Sequence, residues 1–292
     1  MKVIVAGANG LIGSHLVRAL KERGHEAVAL VRKPRGAGEA GWDGRSLDPS
    51  VVDRADAVVN LAGASIAGQR WTGAYKIQIH QSRQDSTRAI VEAIRASQKR
   101  PRVLVNASAV GWYGGRGDEE ITETSAPGND FLAEVCKAWE AEALRAEPLG
   151  LRVVLVRTGV VLAPEGGALA KMVPPFKAFV GGPIGSGRQW MPWIHLADEV
   201  GLLLWAIEST VRGPLVAAAP NAVRMKDFAR ALGRALRRPA LFPVPAPVLR
   251  LAVGEMAEIL LDGQRARPIK ALEGGYKFRF TDVQAALDDV LR

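Results

Sequence analysis

Lys2-Val3-Ile4-Val5-Ala6-Gly7-Ala8-Asn9-Gly10-Leu11-Ile12-Gly13, directly after the first methionine, is the stretch that decides the fold. A short apolar run breaks into a glycine turn. Leu11, Ile12, Leu16, Val17 and Leu20 then recur at helical spacing until Gly24. Gly7 permits the tight turn, Gly10 lets backbone approach a pyrophosphate, and Gly13 allows the helix to pack closely on the strand. The helix N–H groups and dipole then face the anion. A second apolar run, residues 27–31, follows at once. Strand, turn, helix and strand in this order predict a dinucleotide-binding unit.

Working outward, apolar β-branched runs alternate with helical patterns, which implies βαβ units and a parallel sheet. The expected strands are residues 3–6, 27–31, 57–61, 102–107, 153–157 and 215–218, with a weaker one near Gly41-Trp42. Residues 72–98 contain no proline and should form one long helix; further helices are expected over 131–145 and 196–207. The Gly/Pro-rich stretch 163–192 reads as an excursion over the reactive end of the cofactor. The proline-punctuated helices beyond it read as a cap completing a substrate cleft. The fold class is thus α/β, a Rossmann-type doubly wound parallel sheet over 1–220 with a small, mostly helical C-terminal cap over 221–292.

Composition narrows the function classes. The 292 residues are 48% apolar, enough for a sizeable core. No apolar run approaches the ~20 residues that span a bilayer, and the N-terminus enters a strand without a secretion signal. The single cysteine, Cys136, excludes an internal disulfide and fits a reducing compartment, so a cytoplasmic protein is expected. One Cys and four His at scattered positions offer no metal-ligand spacing. The net charge of +9 is spread along the chain without aromatic interleaving, so neither nucleic acid nor membrane is an expected partner.

Adenosine specificity in such units is set after the second strand, where an acidic residue binds the ribose 2′-OH. Here Val31-Arg32-Lys33 occupies that place, and no Asp or Glu follows until Glu39. A guanidinium suits a 2′-phosphate, so the cofactor expected is NADP rather than NAD.

Several phrases together resemble one family: the glycine loop, Asn60-Leu61-Ala62-Gly63-Ala64, Arg70-Trp71-Thr72, Ser108 after a strand, Arg157-Thr158-Gly159-Val160-Val161-Leu162, Gly181-Gly182-Pro183-Ile184-Gly185, Gln189-Trp190-Met191-Pro192-Trp193-Ile194-His195, and Gly254-Glu255-Met256. The chain resembles the extended short-chain dehydrogenase/reductase superfamily and, more narrowly, its atypical epimerase family group of YfcH-like proteins. That resemblance implies NADP(H) contacts at Gly7, Asn9, Gly10, Leu11, Ile12 and Gly13, at Val31 and Arg32, and at Leu61, Ala62 and Gly63. It also implies contacts from Gln78 and Arg83 on the long helix and from Val160 near the nicotinamide. A homodimer through the helices of residues 72–98 and 131–145 is implied as well.

The catalytic pattern of that superfamily is absent. Its chemistry uses a tyrosine with a lysine four residues later on the same helix face. The chain has Tyr75, Tyr113 and Tyr276, followed four residues on by Ile79, Gly117 and Phe280. Lys137 falls near the lysine position, but Ala133 stands where the tyrosine would be. The remaining catalytic candidates are Ser108 as an orienting hydroxyl, Tyr113 as a substitute acid and Lys137 as a ribose contact. His195 reads as structural and Cys136 as core. Gln189, Trp190 and Trp193 suit the lining of a small-molecule pocket. The leading expectation is an NADP(H)-dependent oxidoreductase or epimerase-like enzyme acting on an unidentified small molecule. The alternative is a non-catalytic NADP(H)-binding or sensor protein.

Overall fold

The computed structural model describes all 292 residues. Seven parallel strands form the central sheet: β1 (Lys2–Ala6), β2 (Glu26–Val31), β3 (Glu39–Gly41), β4 (Ala57–Asn60), β5 (Val103–Ala109), β6 (Arg152–Thr158) and β7 (Gly213–Ala217). Their spatial order is β7-β6-β5-β4-β1-β2-β3. The crossover from β3 to β4 places the chain reversal at β1, where a doubly wound sheet opens its ligand crevice. The weak strand near Gly41 is the edge strand, paired through Ala29 with Glu39 and Val31 with Gly41.

Alternation along each strand builds two cores. Val3, Val5, Val103, Val105, Val154 and Val156 point to one face and pack on Leu16 and Leu20 of α1 (Leu11–Glu22) and on Leu202 and Leu203 of α4 (Leu196–Glu208). Ile4, Val58, Leu104, Val153 and Leu155 point to the other face, against Ile90 and Ile94 of α2 (Gly73–Ala96) and Ala143 of α3 (Phe131–Leu144). Both faces are therefore covered, which is why the strands read as unbroken apolar runs.

Side chains set the helix starts. Thr72 accepts from the Tyr75 N–H and Asp130 from the Ala133 N–H, so α2 and α3 begin one residue beyond each cap.

A third core joins the 163–192 excursion to the C-terminal helices Met225–Leu236 and Val283–Val290, around Phe176, Met191, Trp193 and Phe228. The excursion holds a helix, Leu169–Lys177, and a short strand, Trp190–Met191, paired with Val223–Arg224. No helix is long and apolar enough to cross a membrane.

Candidate functional site

The crevice starts at the glycine loop. Gly7 adopts φ +76° and its carbonyl accepts from the Gly10 N–H at 2.9 Å. A Cβ on Gly13 would lie 2.1 Å from that carbonyl oxygen, and one on Gly7 would lie 2.7 Å from the Leu61 carbonyl carbon. Loop, helix and the end of β4 interlock through positions that tolerate no side chain. Gly10 caps α1 without a side-chain acceptor, leaving the first-turn N–H groups for an outside anion.

Asn60, fully buried, shapes the next rim. Its Oδ1 accepts from the Ala62 N–H at 3.1 Å, and its amide donates to Thr87 and Asn106. The turn Leu61-Ala62-Gly63 is thereby held against Arg83, whose Cγ would be 3.2 Å from a Cβ on Gly63. The Arg83 guanidinium stands over Trp139 at 5.0 Å and donates to the Ile79 carbonyl. It faces no carboxylate, and burial weakens its hold on its proton. A shielded cation beside a glycine cradle fits a phosphorylated ligand. Between these rims lies a mostly apolar cavity of about 220 Å³, with Ile12, Leu61, Ser108, Trp139, Thr158 and Glu199 in its wall. Cradle, uncapped helix and shielded guanidinium together fit a dinucleotide.

The excursion reaches this opening from above. Gly166 and Gly167 rest on the Leu11 side chain, His15 pairs with Glu165 at 3.0 Å, and Lys171 donates to the Ala67 carbonyl.

Asn9 and Gly10 are exposed at the loop tip; Val31 is buried at the end of β2, and Arg32 beside it is exposed. Gln78 is exposed on α2 and is not part of the cavity wall. Val160 opens the short strand Val160–Leu162, its N–H bonded to the Pro192 carbonyl at 2.6 Å.

The catalytic candidates require correction. Tyr113 is fully buried in the turn Val110–Tyr113, accepts from Arg157 Nη1 at 3.0 Å and does not reach the cavity. Burial pushes its hydroxyl up to about 12, so it is a poor acid. Lys137 pairs with Glu134 one helical turn away and lies outside the cavity wall. Ser108 does reach the wall, but its hydroxyl donates to Glu140 Oε1 at 2.6 Å. Trp193 is core rather than pocket lining: it is 1% exposed and its indole donates to the Asn221 carbonyl. Gln189 joins the excursion to the C-terminal region, and Trp190 joins it to the segment between β5 and α3. The Gln189 amide donates to the Ile184 and Leu260 carbonyls, and the Trp190 indole donates to Asp118. His195 caps α4 by accepting from the Ala197 N–H and stacks on Phe280 at 3.8 Å. Cys136 lies in the wall, its thiol pushed up to about 11 by burial.

Three functional-looking groups escaped the sequence reading. Glu140 and Arg157 form a buried two-point ion pair, 2.9 and 2.8 Å, that occupies Ser108 and Tyr113 at once. Glu199, buried in α4, accepts from the Thr158 hydroxyl at 2.9 Å, and burial pushes its carboxyl up to about 8. An acid inside the apolar run 196–207 was the available signal; beside Asp198 it passes for an ordinary first-turn carboxylate.

Fold and crevice define a Rossmann-type dinucleotide-binding protein. Residues 3–217 match the NAD dependent epimerase/dehydratase family, and 244–290 match a domain of unknown function, DUF1731. The chain belongs to the NAD dependent epimerase/dehydratase family, within the extended short-chain dehydrogenase/reductases. It is 41% identical to the epimerase family protein Mb2239 of Mycobacterium bovis over 98% of this chain and 96% of that one. It is 40% identical to the mouse epimerase family protein SDR39U1 over the full length of both. The crystal structure of human SDR39U1 with NADPH superposes with a TM-score of 0.92 at 36% identity, covering 100% of this chain and 99% of that one.

Proposed function

We propose that this chain is an NADP(H)-dependent oxidoreductase or epimerase-like enzyme of the YfcH-like group, acting on an unidentified small molecule. The observation that carries this reading is the convergence of glycine cradle, shielded Arg83 and apolar cavity on one crevice. NADPH in the human relative supports the choice of cofactor. Gly7, Gly10 and Gly13 would admit the pyrophosphate, Arg32 would take the 2′-phosphate, and Leu61, Ala62 and Gly63 would border the adenosine half. Arg83 would supply a second positive charge. The cofactor, when bound, supplies hydride chemistry. The chain supplies orientation, a mostly apolar cavity and, from Ser108 and Thr158, hydroxyl oxygens that can accept while their protons are held by Glu140 and Glu199.

The sensor reading draws its support from the burial of Tyr113 and the engagement of Ser108 by Glu140, which leave neither of these hydroxyls free to act as an acid in the cavity. Under either reading we place the protein in the cytoplasm, with a homodimer through α2 and α3 as the proposed assembly.

Calorimetric titration with NADPH and NADH, on wild type and Arg32→Asp, tests the cofactor assignment. The variant should lose at least about tenfold in NADPH affinity and little in NADH affinity, the loss of one charged phosphate contact. Equal losses would remove the assignment. Absorbance of NADPH with a panel of quinones and aldehydes then separates the two functions: consumption supports the enzyme, and tight binding without consumption supports the sensor.

A further inference from the structure

Glu199 is the one carboxyl group in the wall of the cavity, and the proposed nicotinamide nucleotide binding gives it no task. It is 1% exposed. Oε1 accepts from Thr158, while Oε2 is buried with no hydrogen-bond partner. An unpartnered buried carboxyl oxygen is costly, and on a residue of a cavity wall it offers a partner to a ligand's polar group. We propose that Glu199 meets the nicotinamide carboxamide and biases the protein between the reduced and the oxidised cofactor. This rests on the cofactor reading above.

The chemistry on both sides agrees. The carboxamide carries a donor and an acceptor, so it satisfies Glu199 as a neutral acid, which donates, or as a carboxylate, which accepts. The nicotinamide ring is cationic only when oxidised. A neutral Glu199 is indifferent to that charge, whereas an ionised one in a mostly apolar cavity attracts it. The neighbouring charges do not pre-empt this. Arg83 is stacked over Trp139, and Glu140 is paired with Arg157. The Asp198 carboxylate is bound by the N–H groups of Arg279 and Phe280 and by the Tyr276 hydroxyl, and the Cys136 thiol is held neutral by burial.

The carboxyl titrates near 8, raised by burial, and it is neutral well below that value. By linkage, binding of the cationic form lowers that value and is favoured as pH rises through it, while the reduced form gains nothing. The ratio Kd(NADPH)/Kd(NADP⁺) should therefore be flat at low pH and climb on the alkaline side.

The test uses the full chain, with NADPH followed by its fluorescence and NADP⁺ by calorimetry, at about pH 6, 8 and 9.5. Wild type should show a rise in the ratio of about tenfold, equivalent to one pKa unit between the two complexes. Glu199→Gln should change it less than about twofold, since its amide cannot ionise. A flat wild-type ratio, or the same rise in Glu199→Gln, overturns the inference while leaving the cofactor reading intact. Wild type that binds neither nucleotide overturns both. The acetylpyridine analogue of NADP⁺ keeps the carbonyl and lacks the amide N–H, so it needs no protein variant. It should match NADP⁺ at about pH 6 and bind about tenfold more weakly than NADP⁺ at about pH 9.5, where Glu199 has become an acceptor. Equal binding of the two at both pH values also overturns the inference.

Discussion

Arg157 carries its charge into the interior with partners on three sides. Glu140 binds it at two points, the Tyr113 hydroxyl accepts from Nη1, and the Trp112 ring lies 3.6 Å from the guanidinium carbon. Only 3% of the Arg157 side chain and 7% of that of Glu140 are exposed, so each charge depends on the other. Glu140→Ala leaves a buried guanidinium uncompensated and should cost about 3–5 kcal/mol, measured by urea unfolding. A loss below about 1 kcal/mol would mean that water already reaches the pair. At this scale little was legible beforehand. Ser108 and Tyr113 were visible as hydroxyls, but their partners lie on α3 and β6, and no local spacing links residue 108 to residue 140 or 157.

Among elements, the β1–loop–α1 unit is where chain order and three-dimensional arrangement coincide. Its spacing of glycines is a local property, because the clashes a side chain would cause at Gly7 and Gly13, and the tight contact at Gly10, lie within the unit or against the adjoining end of β4. Gly13→Ala puts a methyl group against the Gly7 carbonyl. It should destabilise the protein by about 1–3 kcal/mol and displace the loop. Calorimetry should find NADPH affinity reduced by more than tenfold, roughly 1.4 kcal/mol or more; unchanged affinity would show that the loop is not the phosphate cradle. The long helix α2 was equally readable, from the absence of Pro over residues 72–98, whereas the caps Thr72 and Asp130 at the starts of α2 and α3 come from the structure. The excursion was readable as irregular backbone. Its attachment to the C-terminal helices was not, and that is why Trp193 was expected at a pocket and lies in a core.

For the molecule as a whole, Asp198 is the joint between the sheet domain and the C-terminal segment. Fully buried at the start of α4, it accepts from the N–H groups of Arg279 and Phe280 at 2.8 and 2.9 Å, while neighbouring His195 stacks on Phe280. Asp198→Ala strips both N–H groups of their acceptor and should lower stability by roughly 2–4 kcal/mol. Hydrogen exchange should accelerate first at residues 276–280, ahead of β1 and β5; uniform acceleration would contradict a joint at this point. Chain order alone was enough for the sheet, the glycine loop and the helical layers, since these follow from periodicity and from glycines acting over a few residues. Tertiary structure alone decided which polar groups face the cavity. Whether an acid is neutral, paired or capping depends on partners brought from distant parts of the chain, and on how completely their packing removes water.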